Sequence, residues 1–251
     1  MHMIHELQHR YSNLIKKHLP ESAKNLIKRA ISCMTWDPWA GRSWSQEGED
    51  QILLRIFAQQ SSGFYVDVGA HHPKRFSNTY LFYRRGWSGI NIDAMPGSMR
   101  LFHRWRPNDI NLEFGIGNEK KQLDYYVFNE PALNSFSPEL SLHRHDTQSA
   151  DQIEKIIKVT VLPLSSVFDH YLPHGQEIDF MSIDVEGLDW EVLQSNDWSK
   201  YRPKFVLVEM LDSSLHDIEN SAIARLMLDA GYALYAKCVN TVFFKNTNNK
   251  L

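Results

Sequence analysis

The stretch FYVDVGAHHPKRFSNTYLFYRRGWSGINID, residues 64–93, decides the fold. Its first five residues are a compact apolar run of strand character that enters a turn at Gly69. SNTYLFYRRG (77–86) then reads as a helix and WSGINID (87–93) as a second strand. Strand, helix and strand in so short a span form a βαβ unit, whose two strands run parallel because the helix carries the chain back.

The same rhythm continues on both sides. Before the unit, Ile52, Leu53, Ile56 and Phe57 share one helix face. After it, PGSMRLFHRW (96–105) reads as helix, INLEFGIG (110–117) as strand and IDFMSIDVEG (178–187) as strand. DWEVLQSND (189–197) is helix, PKFVLVEM (203–210) strand and IENSAIARLMLDAG (218–231) helix. The last two strands, in YALYAKCVNTVFFKN (232–246), are joined by KCVN, too short for a crossover helix. They form an antiparallel hairpin. The expectation is an α/β fold, a mostly parallel seven-stranded sheet with helices on both faces and a C-terminal hairpin.

Two segments depart from this rhythm. Residues 118–175 hold two further strands, QLDYYVFN and KIIKVTVLPL, around a long polar connection, residues 130–154. Inserts of this length commonly cover active sites. Residues 1–44 form a separate helical, Trp-rich extension ahead of a domain spanning 45–251. Ile4, Leu7, Tyr11, Leu14 and Ile15 recur at helical spacing, with Lys16, Lys17, Lys24, Lys28 and Arg29 near by. Such a segment packs on the domain or on a second subunit of an oligomer, or lies on a membrane surface.

The 251 residues carry a net charge of −3 and 43% hydrophobic residues, an ordinary globular composition with no nucleic-acid signature. Cys33 and Cys238 are the 2 cysteines, so a zinc knuckle is excluded and a disulfide framework is not expected. No apolar run approaches the roughly 20 residues of a transmembrane helix, and the N-terminus lacks a signal-peptide core. The reading is a cytoplasmic protein.

In open α/β sheets, ligands bind at the carboxyl ends of the strands. The first strand brings Asp67, Gly69, His71 and His72 there, and the second brings Asp93. An acid ending the second strand is the ribose-binding signature of adenosine cofactors. A dinucleotide needs Gly-x-Gly-x-x-Gly so that backbone can approach its pyrophosphate. Here the turn has one glycine followed by Ala70, His71, His72 and Pro73. S-adenosylmethionine has no phosphate, and Asp67 suits its ammonium group. A bare turn glycine and a helix-capping Asp93 are the plainer alternative.

SQEGEDQ, the 64–93 stretch extended through PGSM, DFMSIDVEGLDWEVLQSNDW and YRPKFVLVEM together resemble the FkbM-type methyltransferase family over about residues 45–245. The resemblance implies a Rossmann-like methyltransferase fold and S-adenosylmethionine-dependent O-methylation, often of natural products or surface polysaccharides. It implies cofactor contacts by Asp67, Gly69, Asn78 and Asp93, with Gly115 and Ile116 along the adenine. In the family's commoner turn, Gly-Ala-Asn-x-Gly, the Asn stands where this chain has His71 and the second Gly where it has Pro73.

The fourth strand adds Asp184 and Glu186, and the fifth adds Glu209. Unpaired carboxylates in such a group need protons, a cation or basic partners. Hard oxygen ligands suit Mg²⁺ or Mn²⁺, held by Asp184 and Glu209. Glu186 or His72 then serves as base. The alternatives are Asp184 on the cofactor's ammonium with no metal, Glu186 as a cap for the helix near Leu188, and histidines bonded only to backbone. The insert and the Trp loop shape the site for a sugar or glycan acceptor through Asn134, His143, Arg144 and Trp39. The rival functions are a metal-dependent phosphoesterase and a non-catalytic cofactor-binding protein.

Overall fold

The computed structural model describes residues 41–147 and 149–248, together with Pro20. The chain divides between Arg42 and Ser43 into two units, and the fold below is that of the second. The expected helices of residues 1–31, with Cys33, Trp36 and Trp39, lie outside the described residues.

The first part of the chain runs α1 (Glu49–Ile56), β1 (Phe64–Val68), α2 (Tyr80–Tyr83), β2 (Ser88–Asp93), α3 (Met99–Trp105) and β3 (Ile110–Glu113). The insert follows with β4 (Gly115–Ile116), β5 (Lys121–Phe128), a 3-10 turn (Pro131–Leu133), α4 (Pro138–Thr147) and β6 (Ile153–Leu162). The remainder is α5 (Leu164–Tyr171), β7 (Phe180–Ile183), α6 (Asp189–Gln194), β8 (Phe205–Glu209), α7 (Leu215–Asn220), α8 (Ala222–Asp229), β9 (Tyr232–Lys237) and β10 (Thr241–Asn246).

Seven strands make one sheet in the order β3-β2-β1-β7-β8-β10-β9. The first five of these are parallel, and β10 runs antiparallel to both β8 and β9. This is the expected architecture. Its central strands are buried on both faces, and their side chains alternate between two cores. Phe64, Val66 and Val68 face one core with Met181, Ile183, Val206 and Val208. Tyr65, Phe180, Phe205, Leu207 and Phe243 face the other, together with Leu53 of α1. There Phe57 meets the rings of Phe82, Trp87, Phe180 and Phe205 at 5.3–6.2 Å between centroids. Each such pair adds about 0.5–1.5 kcal/mol beyond the burial of its area.

Parity then decides what reaches the site. On the Tyr65 face, Asp67 follows Tyr65 and lies in register with Ser182 of β7. Glu209 follows Leu207 in the same alternation.

Three elements differ from expectation. INLEFGIG is not one strand: β3 stays in the main sheet, while Gly115 and Ile116 pair with β6 in a second sheet, β4-β6-β5. The helix expected over 218–231 is broken at Ser221, whose Oγ accepts from the Ala224 N–H at 3.0 Å and caps α8. The polar connection 130–154 contains α4, which buries Ser141 and Arg144 and leaves Leu142 exposed. Its apolar residues do not mark its buried side, so periodicity could not reveal it. Among the described residues, no helix is long and apolar enough to cross a membrane, and Cys238 is a free thiol.

Candidate active site

The ends of β1, β2 and β7, closed over by the insert, enclose a cavity of about 500 Å³. Gly69, His71, His72, Asp93, Gly115, Ile116, Asn134, Asp184 and Glu186 all line it. Sequence reasoning missed Arg75, Phe76, Tyr125, Glu130 and Phe136 on the same wall, and named Gln46 only within a motif. Arg75 and Glu130 carried no signal, being 55 residues apart, yet they meet in a two-point ion pair at 2.9 and 3.1 Å.

Gly69 is required by its surroundings. Its φ is 86°, and a Cβ there would sit 1.7 Å from the Asp184 carbonyl oxygen. The glycine turn and the end of β7 therefore touch, backbone against backbone. Gly115 answers a similar need, since a Cβ would meet Phe136 at 2.6 Å.

Asp93 is held by two backbone donors: the His71 N–H donates to Oδ2 at 2.8 Å and the Met95 N–H to Oδ1 at 2.9 Å. A carboxylate has about four lone-pair sites, so both oxygens keep capacity for ribose hydroxyls. Asp67 lies deeper, outside the cavity lining. Its Oδ2 accepts from Thr79 Oγ1 at 2.6 Å, and burial pushes its carboxyl up while the nearby Arg106 draws it down. Asn78 Nδ2 donates to Ser182 Oγ at 2.9 Å, also behind the lining.

His71, Phe76 and Glu186 line the cavity with φ of 49°, 54° and 53°, where side chains other than glycine are strained. Such residues cost about 1–3 kcal/mol each and gather at functional sites. The His71 Nε2 is buried without a hydrogen-bond partner, and burial lowers its pKa, favouring the neutral ring.

His72 is engaged by its own loop. Its Nδ1 accepts from the Lys74 and Arg75 N–H groups at 3.0 and 2.9 Å. That fixes the proton on Nε2 and leaves no free lone pair. Burial and the charges of His71, Arg75 and Lys74 lower its pKa further. Asn134 is likewise occupied, its Oδ1 accepting from the Phe128 N–H at 2.8 Å.

The carboxylates converge as the strand spacing implies. One oxygen each from Asp184, Glu186 and Glu209 lies within 4.8 Å of the others. Burial raises the pKa of Asp184, and the charges of Glu209 and Glu186 add to it. Burial and then Glu186 push Glu209 up to about 8. Burial also raises Glu186, against the pull of Arg144, whose Nη2 donates to Oε2 at 2.6 Å. The Glu186 carboxylate is thus directed at Arg144, and the cap position of α6 is Leu188. Arg144 Nη1 is buried without a partner. Glu209 and His143 lie outside the main cavity, on an adjoining cleft. Trp39 is outside the described residues.

A parallel sheet, a strained glycine turn, an acid ending β2 and a cavity across the strand ends define a Rossmann-like nucleoside-cofactor protein. Residues 67–234, more than half of the chain, match the model of the methyltransferase FkbM domain. The chain belongs to the FkbM methyltransferase family, and that membership implies S-adenosylmethionine as cofactor. It sets aside the phosphoesterase reading. One similar solved structure is the crystal structure of methyltransferase FkbM from Methylobacillus flagellatus KT at 2.20 Å resolution. Identity is 14% and the TM-score 0.44, over 74% of this chain and 44% of that one. The chain thus spans less than half the length of that relative. No curated protein matches it.

Proposed function

We propose that the protein transfers the methyl group of S-adenosylmethionine to a sugar hydroxyl of a glycan, polysaccharide or glycosylated metabolite. The observation that carries this reading is the closure of the cofactor cavity by carboxylates: Asp184 and Glu186 line it, and Glu209 lies within 4.8 Å of both. A hydroxyl is a weak nucleophile at neutral pH and needs a proton acceptor at the point of attack. Grouped carboxylates raised toward neutrality are suited to that task.

The hydroxyl oxygen approaches the methyl carbon opposite sulfur. As the O–CH₃ bond forms, the S–CH₃ bond breaks, its electron pair stays on sulfur, and the hydroxyl proton passes to a carboxylate. S-adenosylhomocysteine departs. Glu186, fixed by Arg144, and Asp184, held at the Gly69 contact, are the proton acceptors that line the cavity. Asp93 holds the ribose and so places the sulfonium.

The three carboxylates also fit a hard divalent cation. Their oxygens are close enough to share one, and one arginine does not balance them. Asp184, Glu186 and Glu209 would hold Mg²⁺ or Mn²⁺, which would supply acidification and orientation of an oxygen substrate.

Labelled S-adenosylmethionine offered with a panel of sugars tests the reading, and transfer of label to a base-stable ether is the expected result. Donor binding with no hydroxyl methylated across a broad glycan panel overturns it. Full activity in excess chelator removes the cation but leaves the carboxylate chemistry intact.

A further inference from the structure

The loop after β1 and the helix α3 carry a surface whose charge departs from that of the chain. Residues 71–107 contain seven lysines and arginines and one acid, Asp93, in a protein of net charge −3. Asp93 lines the cofactor cavity, and Arg106 is buried against Asp109. The other six cations reach solvent. Several of them alternate with aromatic rings. The Arg84 guanidinium lies over Trp44, and Trp44 meets Tyr80 edge-on. Lys74 Nζ faces both Tyr80 and Trp105, and Arg104 lies over Trp105 from the other side of the chain. Each step spans 3.2–5.7 Å. Among the described residues, Lys74, Arg84 and Arg104 face rings rather than carboxylates. An exposed cation on a ring gains about 0.5–1 kcal/mol and keeps its charge. The strip reaches the candidate active site. Arg75, Phe76 and Leu101 line the cofactor cavity and are also exposed, so they form part of its rim. Arg75 adjoins Lys74 in the chain, and Leu101 stands one turn before Trp105 on α3. Phe76 holds its ring at the rim with a φ of 54°, a strained conformation for a bulky residue. The Arg75 guanidinium lies 4.3 Å over that ring.

We propose that this strip is an extended subsite for an acidic glycan, whose sugar faces stack on the exposed rings while its carboxylates meet the lysines and arginines. This rests on the sugar-methyltransferase reading above and names the class of polymer that carries the acceptor. Sugar rings present apolar C–H faces that pack on aromatic rings, and a planar guanidinium pairs a carboxylate at two points. A neutral glycan leaves the cations unanswered, and a basic one is repelled. The cofactor cavity is of a size that one nucleoside ligand fills, so a polymer has to be held mostly outside it. Units held on the strip supply binding energy remote from the reacting hydroxyl. A lipid surface or a nucleic acid also carries negative charge. The strip's continuity with the rim of the cavity, where a sugar hydroxyl is methylated, favours the glycan.

The test uses the full chain and four probes of matched length or charge: an oligogalacturonate, a neutral maltooligosaccharide, an oligothymidylate and vesicles of phosphatidylglycerol. Binding is followed by calorimetry at low and at physiological salt, with and without S-adenosylhomocysteine. The oligogalacturonate is expected to bind most tightly and to weaken as salt rises. Trp105→Ala removes a ring from the strip and Arg104→Glu reverses one of its charges. Both residues are exposed and lie outside the cavity lining. Each variant is expected to weaken the oligogalacturonate about tenfold or more. S-adenosylhomocysteine affinity stays within about twofold of the parent in both, and the melting temperature stays near that of the parent. Absence of oligogalacturonate binding, binding as tight by any of the other three probes, or affinity unmoved by either variant overturns the proposal. Failure of S-adenosylhomocysteine to bind is a separate outcome: it sinks the methyltransferase reading, and with it the glycan's part as acceptor.

Discussion

The ends of β2 and of β7 carry carboxylates a few residues from one another's loops, and they treat them in opposite ways. Asp93 is tied by two backbone N–H groups, at 2.8 and 2.9 Å. Asp184 faces other acids and is raised by burial and by the charges of Glu209 and Glu186. A carboxylate oriented by fixed backbone donors serves as an anchor and keeps lone pairs for a ligand's hydroxyls. A carboxylate crowded by its own kind holds a proton or recruits a cation, and so is ready to exchange either. The difference separates the gripping half of the site from the reacting half.

Breaking the link between the halves has the largest expected effect. Gly69→Ala places a methyl 1.7 Å from the Asp184 carbonyl oxygen at a φ of 86°. A loss of more than about 4 kcal/mol is expected, read by denaturant unfolding. An unchanged midpoint means that turn and strand end do not touch.

Asp93→Asn attacks the gripping half alone. An amide oxygen can accept from His71 or from Met95, but its NH₂ faces the other donor. Affinity for S-adenosylhomocysteine is expected to fall by about 1.5–3 kcal/mol, measured by calorimetry. Retained affinity would show that the ribose is held elsewhere.

The reacting half is sharpened by pH. Glu209 has its folded pKa raised from 4.5 to about 8. Between those values the folded state binds more protons than the unfolded state, so stability falls as pH rises through that window. Thermal melts from pH 5 to 8.5 are expected to show this decline. Glu209→Gln removes its part of the slope, and Mg²⁺ or Mn²⁺ flattens it by stabilising the ionised group. A flat profile in the parent protein contradicts the crowding.

The next effect is on stability rather than turnover. His72→Ala strips two backbone donors of their acceptor, costing about 1–2 kcal/mol, and the pH dependence of kcat is expected to keep its shape because the ring carries no reaction proton. Smallest is Arg75→Ala. The pair with Glu130 is 45% and 38% exposed, so its loss costs about 0.2–1 kcal/mol and vanishes at high salt.

The alternation of apolar strands and helices made the main sheet and the terminal hairpin legible, because those strands are buried on both faces and read as short apolar runs. Residues ending them were legible too: Gly69, Asp93, Asp184 and Glu186 line one cavity. What stayed hidden depends on contacts without a sequence period. Nothing local tells that His72 Nδ1 turns back on its own loop. Nor does the spacing of Asp67 reveal that Thr79 occupies it from the start of α2. The departure of Gly115 and Ile116 into a second sheet was invisible because INLEFGIG is one short stretch without a proline, and the strand that Gly115 and Ile116 pair with, β6, lies far along the chain.

The touching backbones at Gly69 and Asp184 leave the donor's floor and the acid-bearing loop no freedom to part. The wall opposite, the residue 130–147 stretch, is fastened to that loop in turn by bonds such as Ser135 Oγ to the Glu186 carbonyl at 2.6 Å. A change in any one of floor, loop or wall is therefore felt by the other two, with the seam beneath as their common anvil.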